Sequence, residues 1–195
     1  MTLATSQDKA LVIAIFQQAF KSNPHMNFLM GRRNLERKIA TMTSFVFDIA
    51  LARQGVYLSK DRLGVLITFD YAQLPLKPRE KWAQKIMALR CFSWLRLRNI
   101  ARTEALIQAK RRAEPNDLYV WFYGVSDAAL GQQTARELLK GLFELAQQRN
   151  AGIIAETSMA RNQVIYKRYG FECYEQIQCE GFPVFYMRKP STEQD

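Results

Sequence analysis

The stretch of the chain that most limits its fold is 118–125, which consists of aromatic, aliphatic and glycine residues only. It lacks the alternation of a strand with one face in water, and the turn residues Glu114–Asp117 stand directly before it. A helical pattern from about Gly131 to Arg149 follows, with leucines recurring at three- and four-residue steps. We therefore expect a buried central strand that leads straight into a helix, a unit typical of α/β folds.

The rest of the chain supplies further helices and strands around this unit. Helical periodicity predicts one helix from Ser6 or Asp8 to about Phe20, ended by Pro24, and a second from Asn34 to about Gly55. The other predicted elements are a hairpin of Val56–Ser59 and Leu63–Phe69, the strand Ile153–Thr157, the helix Arg161–Tyr169, and the strands Phe171–Cys179 and Phe182–Arg188. This order predicts one α/β domain over residues 1–190, with helices on the faces of its sheet, and a loose tail at 191–195.

Cysteine and histidine usage argues against a metal site. Cys91, Cys173 and Cys179 lie at spacings that match no structural zinc pattern, and His25 is the single histidine. The chain does not open with a secretion signal pattern, and its longest early apolar run, Ala10–Phe16, is far shorter than the roughly 20 residues of a membrane span. We therefore expect a cytoplasmic protein with reduced thiols and no bound metal.

The positive charge of the chain is concentrated between Lys77 and Arg112. Of the net charge of +10, this segment accounts for +9, because it holds eleven basic residues against Glu80 and Glu104. Its apolar residues recur at helical steps, which predicts one or two amphipathic helices inserted between two strands. A solvated helical face and a functional surface for an anionic partner both remain open for this basic insert.

Three features between residues 125 and 171 indicate chemistry, and each also has an ordinary structural explanation. The amides at the start of the helix near Gly131 suit a phosphate, although a plain strand-to-helix turn has the same pattern. Glu156 ends a strand at the edge where open α/β sheets bind ligands, and is either a base acting through water or a solvated strand end. Asn162 and Tyr166 share one face of a short helix, and Tyr166 is alternatively a core aromatic.

The string 125–139, the pair Glu156-Thr157 and the segment Asn162–Phe171 together resemble the cofactor half of the GNAT N-acetyltransferase superfamily. The last segment has the pattern Asn-x-x-x-Tyr-x-x-x-Gly-Phe, which is the most specific part of the match. The resemblance implies an α/β GNAT fold, a mixed central sheet flanked by helices, with the basic helical insert between strands three and four. It also implies an acyl-CoA-dependent N-acyltransferase that moves acetyl from acetyl-CoA, its co-substrate, to an amine by direct attack and without a metal.

The resemblance further implies roles for individual residues. Tyr166 would be the general acid that protonates the departing thiolate, and Asn162 would contact the coenzyme. Gly124 would mark the bulge that splays two strands to admit the pantetheine arm. The other cofactor-binding residues that it implies are the strand backbone at Tyr123 and Val125, and the amides of Gly131, Gln132, Gln133, Thr134, Ala135 and Arg136.

The phosphate loop departs from the family pattern at two positions. Leu130 replaces a polar residue, and Gln133 stands where a glycine normally lets backbone approach phosphate. The alternative function is therefore a GNAT-fold module without turnover, which binds coenzyme A or associates with nucleic acid through the basic insert. For an enzyme, the +9 surface favours a small neutral or anionic acceptor. Contact with nucleic acid or a membrane surface, and a homodimer, stay open.

Overall fold

A computed structural model describes residues 1–92, 94–129 and 133–191 of the chain. The strands in these ranges are β1 (Thr2–Leu3), β2 (Val56–Leu58), β3 (Gly64–Asp70), β4 (Leu118–Val125), β5 (Ile153–Thr157), β6 (Glu172–Cys179) and β7 (Phe182–Lys189). The α-helices are α1 (Lys9–Phe20), α2 (Pro24–Met30), α3 (Leu35–Ala52), α4 (Pro78–Cys91), α5 (Leu97–Ala109), α6 (Thr134–Gln148) and α7 (Ala160–Arg168). Of the predicted tail, residues 192–195 lie outside the described ranges.

The strands form one mixed sheet in the order β1-β2-β3-β4-β5-β7-β6. β4 and β5 run parallel, while the other neighbouring strands of this described sheet pair antiparallel. Successive residues of a strand point to opposite faces of the sheet. One apolar cluster packs α6 and α7 on one face, and a second packs the five helices α1, α2, α3, α4 and α5 on the other face. The predicted α/β fold, a mixed sheet with helices on both faces, is confirmed.

Two elements of the structure are not predicted from the sequence, β1 and α2. Pro24 begins α2, where the sequence pattern indicated only the end of the preceding helix. The Asn23 side chain accepts a hydrogen bond from the Met26 amide at 3.1 Å, and the proline at the first helical position has no amide to leave unpaired. The basic insert forms the helices α4 and α5.

β4 and β5 separate after three paired positions. Residues 118–120 pair with residues 153–155, and beyond them β4 continues along β3 while β5 continues along β7. A bulge in β4 lies at the point of separation: Ile67 faces Phe122 and Thr68 faces Val120, so Trp121 has no opposite residue. The central strand is therefore one side of a wedge-shaped gap that opens towards the carboxyl ends of β4 and β5, which we call the β4–β5 gap.

Gly124 does not mark the bulge, so that prediction is wrong by three positions. Its lack of a side chain instead permits close packing of α1 on β4. A Cβ atom at Gly124 would stand 3.0 Å from the Cβ of Ala19 and 3.5 Å from the ring of Phe16. The glycine is required by this helix-to-strand contact rather than by backbone conformation.

Replacing Gly124 with valine should lower the free energy of unfolding by about 1–3 kcal/mol, because the new side chain overpacks the contact with α1. Adding Ala19→Gly should recover part of that loss, although a helical glycine itself costs about 1 kcal/mol. Urea unfolding of the wild type, both single variants and the double variant measures the coupling. Strictly additive effects would contradict the assigned contact.

Candidate active site

The β4–β5 gap leaves one edge of β4 beyond Val120 without a partner among the described strands. On the other edge, the amide of Ser126 donates to the carbonyl of Leu63 at 2.8 Å. Backbone groups of successive residues alternate between the two edges of a strand, so those of Tyr123 and Val125 face the gap. An extended ligand with amide groups of its own can pair with this edge, as a peptide adds to a sheet.

The start of α6 follows β4 and carries the predicted phosphate-binding residues. Gly131 and Gln132 lie outside the described residues. Gln133 is the exposed N-cap of α6, and its side chain makes no capping hydrogen bond. Arg136, one turn further on, is exposed and has no ion-pair partner within the described ranges. The first helical amides and this free guanidinium can both meet an anionic group.

Two of the predicted phosphate-binding residues also have structural contacts. The buried Thr134 hydroxyl donates to the carboxylate of Asp61, which fastens α6 to the turn between β2 and β3. The carbonyl of Ala135 accepts a hydrogen bond of 2.7 Å from the hydroxyl of Tyr123. Burial, with smaller contributions from two neighbouring tyrosines, raises the pKa of Tyr123. Of these two residues, only the main-chain amides are therefore available to a phosphate.

Asn162 lies on the first turn of α7, the helix that follows β5. Its side-chain amide donates to the Thr157 hydroxyl at 3.3 Å, and that hydroxyl also accepts from the amide of Met159 at 3.2 Å. These bonds fix the start of α7 against the carboxyl end of β5. The half-buried Asn162 keeps its amide oxygen available for a ligand, since its described bond uses only the nitrogen.

Tyr166 combines a core ring with a free hydroxyl. The side chain is 9% exposed, and its ring lies 5.2 Å from that of Phe171 within the cluster under α6 and α7. Its hydroxyl has no hydrogen-bond partner in the part of the chain that the structure describes. Burial raises the pKa of Tyr166 to about 12, so the hydroxyl stays protonated and can donate at neutral pH. Both interpretations of this residue, core aromatic and proton donor, fit the same position.

Glu156 is held in an ion pair that the sequence does not reveal. Arg111 donates to both of its carboxylate oxygens, with Nη2 to Oε2 at 3.0 Å, and the two side chains are 10% and 16% exposed. The same guanidinium lies 5.0 Å from the ring centre of Tyr119 on β4. The arrangement disagrees with the freely accessible carboxylate that a base acting through water requires. Glu156 is a member of a largely buried charge pair.

Arg111 belongs to a set of contacts that hold α5 and the segment after it on the sheet. The Tyr186 hydroxyl donates to the carbonyl of Ile107 at 2.9 Å, and the amide of Arg112 donates to the Tyr174 hydroxyl at 3.1 Å. From the sequence alone, Arg111 is only one of the eleven basic residues of the insert. The run Lys110-Arg111-Arg112 gave no signal that would separate a buried guanidinium from solvated neighbours.

His25, the single histidine, has a side-chain partner as well. Its Nε2 lies 2.7 Å from a carboxylate oxygen of Glu104 on α5, and its ring stacks on Phe182 with centroids 4.8 Å apart. The contact joins α2 to α5. It leaves Glu104, one of the two acidic residues of the basic insert, directed towards the protein.

The described residues give less support to a metal site, a membrane span or a second pocket. Within the described ranges, no group of three histidine, cysteine or acidic side chains could hold a metal ion. None of the described helices has the length and apolar character to cross a membrane. A pocket of about 480 Å³ lies at the end of the sheet opposite to the gap. Its lining includes Arg53, Asp70 and Arg149. Arg149 and Asp70 are paired there at 2.8 Å, so this pocket adds nothing to the candidate site.

The sequence matches no protein-family model and no curated protein. Solved structures do resemble the fold. The histone acetyltransferase HPA2 and related acetyltransferase of Corynebacterium glutamicum is 18% identical, with a TM-score of 0.69 over 99% of this chain and 96% of that one. An N-acetyltransferase of Staphylococcus aureus is 14% identical, with a TM-score of 0.58 over 96% and 98%. A putative GNAT-family acetyltransferase of Desulfovibrio desulfuricans is 13% identical, with a TM-score of 0.54 over 96% and 95%.

Proposed function

We propose that this chain, which has the fold of the GNAT N-acetyltransferases, transfers an acyl group from acyl-CoA to an amine in the β4–β5 gap. One observation carries the proposal: the unpaired edge of β4 begins where β4 and β5 separate, and the helix that follows the carboxyl end of β5 carries Tyr166 with its free hydroxyl. A thioester with an amide-bearing arm needs a strand edge to pair with and a donor near its sulfur. The two features supply one each.

The main-chain groups of Tyr123 and Val125 would pair with the amides of the pantetheine arm. The amides of the first turn of α6 and the exposed Arg136 would receive the pyrophosphate, since a helix N-terminus and a guanidinium both stabilise negative charge. The amide oxygen of Asn162 would accept a hydrogen bond from the coenzyme. The exposed Gln133 would donate through its side chain where a glycine commonly stands.

The reaction itself is a direct displacement at the thioester carbonyl. The nitrogen of a neutral amine forms a bond to the carbonyl carbon, the carbon–sulfur bond breaks with its electron pair on sulfur, and the amine loses one proton to solvent. Full transfer of a proton from a phenol with a pKa of about 12 to a thiolate with a pKa of about 8.5 is unfavourable. Tyr166 would therefore stabilise the thiolate by donating a hydrogen bond, and solvent would supply the net proton.

The acceptor would approach from the face of the sheet that carries Arg111 and Glu156. Because Arg111 neutralises Glu156, this ion pair offers no unpaired carboxylate to attract a cationic amine. The +9 charge of the basic insert on the same side adds repulsion for polyamines and lysine-rich peptides. We therefore propose a small neutral or anionic amine compound as the acceptor. The proposed co-substrate is acetyl-CoA.

The pH dependence of turnover follows from the raised pKa of Tyr166. An ordinary tyrosine loses its proton near pH 10, whereas burial keeps that of Tyr166 to about pH 12. With a saturating acceptor, kcat should rise as the amine deprotonates and then stay level to about pH 11. A fall in kcat centred near pH 10, absent from a Tyr166→Phe variant, would show that the hydroxyl is not desolvated as described.

The proposed reaction is tested by release of free thiol from acetyl-CoA in the presence of a panel of amines. The panel should hold matched cationic, neutral and anionic compounds, with the chain omitted as the control. We expect acceptor-dependent thiol release, fastest with neutral or anionic members. Saturable binding of acetyl-CoA without turnover on any member would favour the alternative of a coenzyme A-binding module, for which Gln133 in the phosphate loop is the supporting observation.

A further inference from the structure

The helix α4 packs one side against the protein and has an exposed apolar surface on the opposite side. Met87 and Cys91 pack into the protein, while Trp82, Ile86 and Leu89 are 66%, 38% and 71% exposed. At roughly 100° per residue these three side chains fall within an arc of about 60° on the helix surface. They form a continuous stripe directed away from the core, which we call the α4 stripe.

Basic side chains flank the α4 stripe on both sides. The same helical geometry places Lys81 and Lys85 along one margin, and Arg79 and Arg90 along the other. All four are exposed, and none has an ion-pair partner in the described ranges. The surface around the stripe is therefore free positive charge.

The two acidic residues of the basic insert do not offset this charge at the surface. Glu80 accepts two hydrogen bonds from Arg53, at 2.9 Å and 2.8 Å, and the pair is 16% and 8% exposed. Glu104 is directed at His25. Both carboxylates thus hold the insert to the protein. A helix that presents aliphatic and indole groups between unpaired cations fits a partner that is anionic at its surface and apolar just below it.

We propose that the α4 stripe and its basic margins dock the chain on the surface of an anionic phospholipid bilayer. Phosphate headgroups would meet the lysine and arginine side chains, and the indole and aliphatic side chains would enter the boundary between headgroups and acyl chains. Among the described side chains, five of the seven large hydrophobic ones that are exposed lie within the basic insert: Trp82, Ile86, Leu89, Leu95 and Leu106.

Other occupants fit this surface less well. A second copy of the chain would bring two +9 segments together, and like charges oppose that contact. A nucleic acid would use the cations and could stack on Trp82, but it offers no apolar layer for Ile86 and Leu89. The aliphatic part of the stripe therefore distinguishes a bilayer from a polyanion.

The experiment is cosedimentation of the full chain with vesicles of phosphatidylcholine, alone or mixed with phosphatidylglycerol. Binding is expected only to the mixed vesicles and should weaken as salt is raised. Lys85→Ala with Arg90→Ala should weaken it about thirtyfold, from roughly fivefold per basic residue. Trp82→Ala with Leu89→Ala should weaken it at least about tenfold. The matched control is Leu3→Ala, at a position 54% exposed outside the insert, which should bind as the wild type does.

Three results would overturn the proposal. They are no binding to either vesicle, equal binding to both vesicles, and unchanged binding by the Trp82→Ala and Leu89→Ala double variant. Duplex DNA binding that depends on the basic pair but not on the apolar pair, without vesicle binding, would assign the surface to nucleic acid. All of these side chains are exposed, so thermal unfolding of the variants should match the wild type and rule out misfolding.

Discussion

Replacing Glu156 with leucine should lower the free energy of unfolding by about 3 kcal/mol, because it leaves the guanidinium of Arg111 buried without its partner. For a chain of this size, that corresponds to a fall of about 10 °C in Tm. The pair is 16% and 10% exposed, so little solvent is available to replace the lost carboxylate. Thermal and urea unfolding of the variant measure the effect directly.

The double variant Arg111→Met with Glu156→Leu is the control for this prediction. Replacing both members of a buried pair with apolar side chains is often close to neutral, so most of the lost stability should return. A Glu156→Leu variant as stable as the wild type would contradict the ion pair. If that stable variant had also lost most of its kcat, Glu156 would be the base acting through water that the sequence pattern indicates.

Replacing Tyr166 with phenylalanine should lower kcat about ten- to a hundredfold. The variant removes one hydrogen bond to the charged leaving thiolate, a contribution of about 1.5–3 kcal/mol. Its effect should fall on kcat rather than on acetyl-CoA affinity, since the bond strengthens only as the thiolate forms. The free energy of unfolding should barely change, because the hydroxyl bonds to no other part of the described chain.

Tyr169→Phe is the matched control, three residues further along the chain. Tyr169 follows α7, packs its ring 6.2 Å from that of Phe143 and has no assigned part in the proposed reaction. Its loss of a hydroxyl should leave kcat as in the wild type. An unchanged kcat for Tyr166→Phe would mean that Tyr166 is only a core aromatic, and a large loss of stability would mean that its hydroxyl has a structural role.

The central strand and the helices around it could be predicted because their patterns are local. The run 118–125 is apolar between two turns, and β4 has those bounds. The helical periodicity from Asn34 to about Gly55 likewise corresponds to α3, which spans Leu35–Ala52. Local patterns did not predict β1, which has only two residues and gains its order from pairing with β2. The short α2 depends on the Asn23 cap and on Pro24, and the sequence pattern predicts from Pro24 only the end of the preceding helix.

The candidate site was less predictable because its chemistry depends on long-range pairing. The spacing of Asn162 and Tyr166 follows from one helix, so their shared position could be expected. The partner of Glu156 comes from residue 111, and the identical formal charges of Lys110, Arg111 and Arg112 conceal that only Arg111 is largely withdrawn from solvent. The bulge at Trp121 follows from the register against β3, which no single strand specifies.

The most direct test of the proposed function is a calorimetric titration of the full chain with acetyl-CoA. Because the unpaired edge of β4 and the start of α6 are both suited to the coenzyme, we predict saturable binding with one site per chain. Replacing Val125 with proline removes an amide that faces the gap and should weaken the binding. Absence of any binding heat at millimolar acetyl-CoA, for a wild-type chain shown to be folded, would contradict the proposal that the β4–β5 gap holds an acyl-CoA.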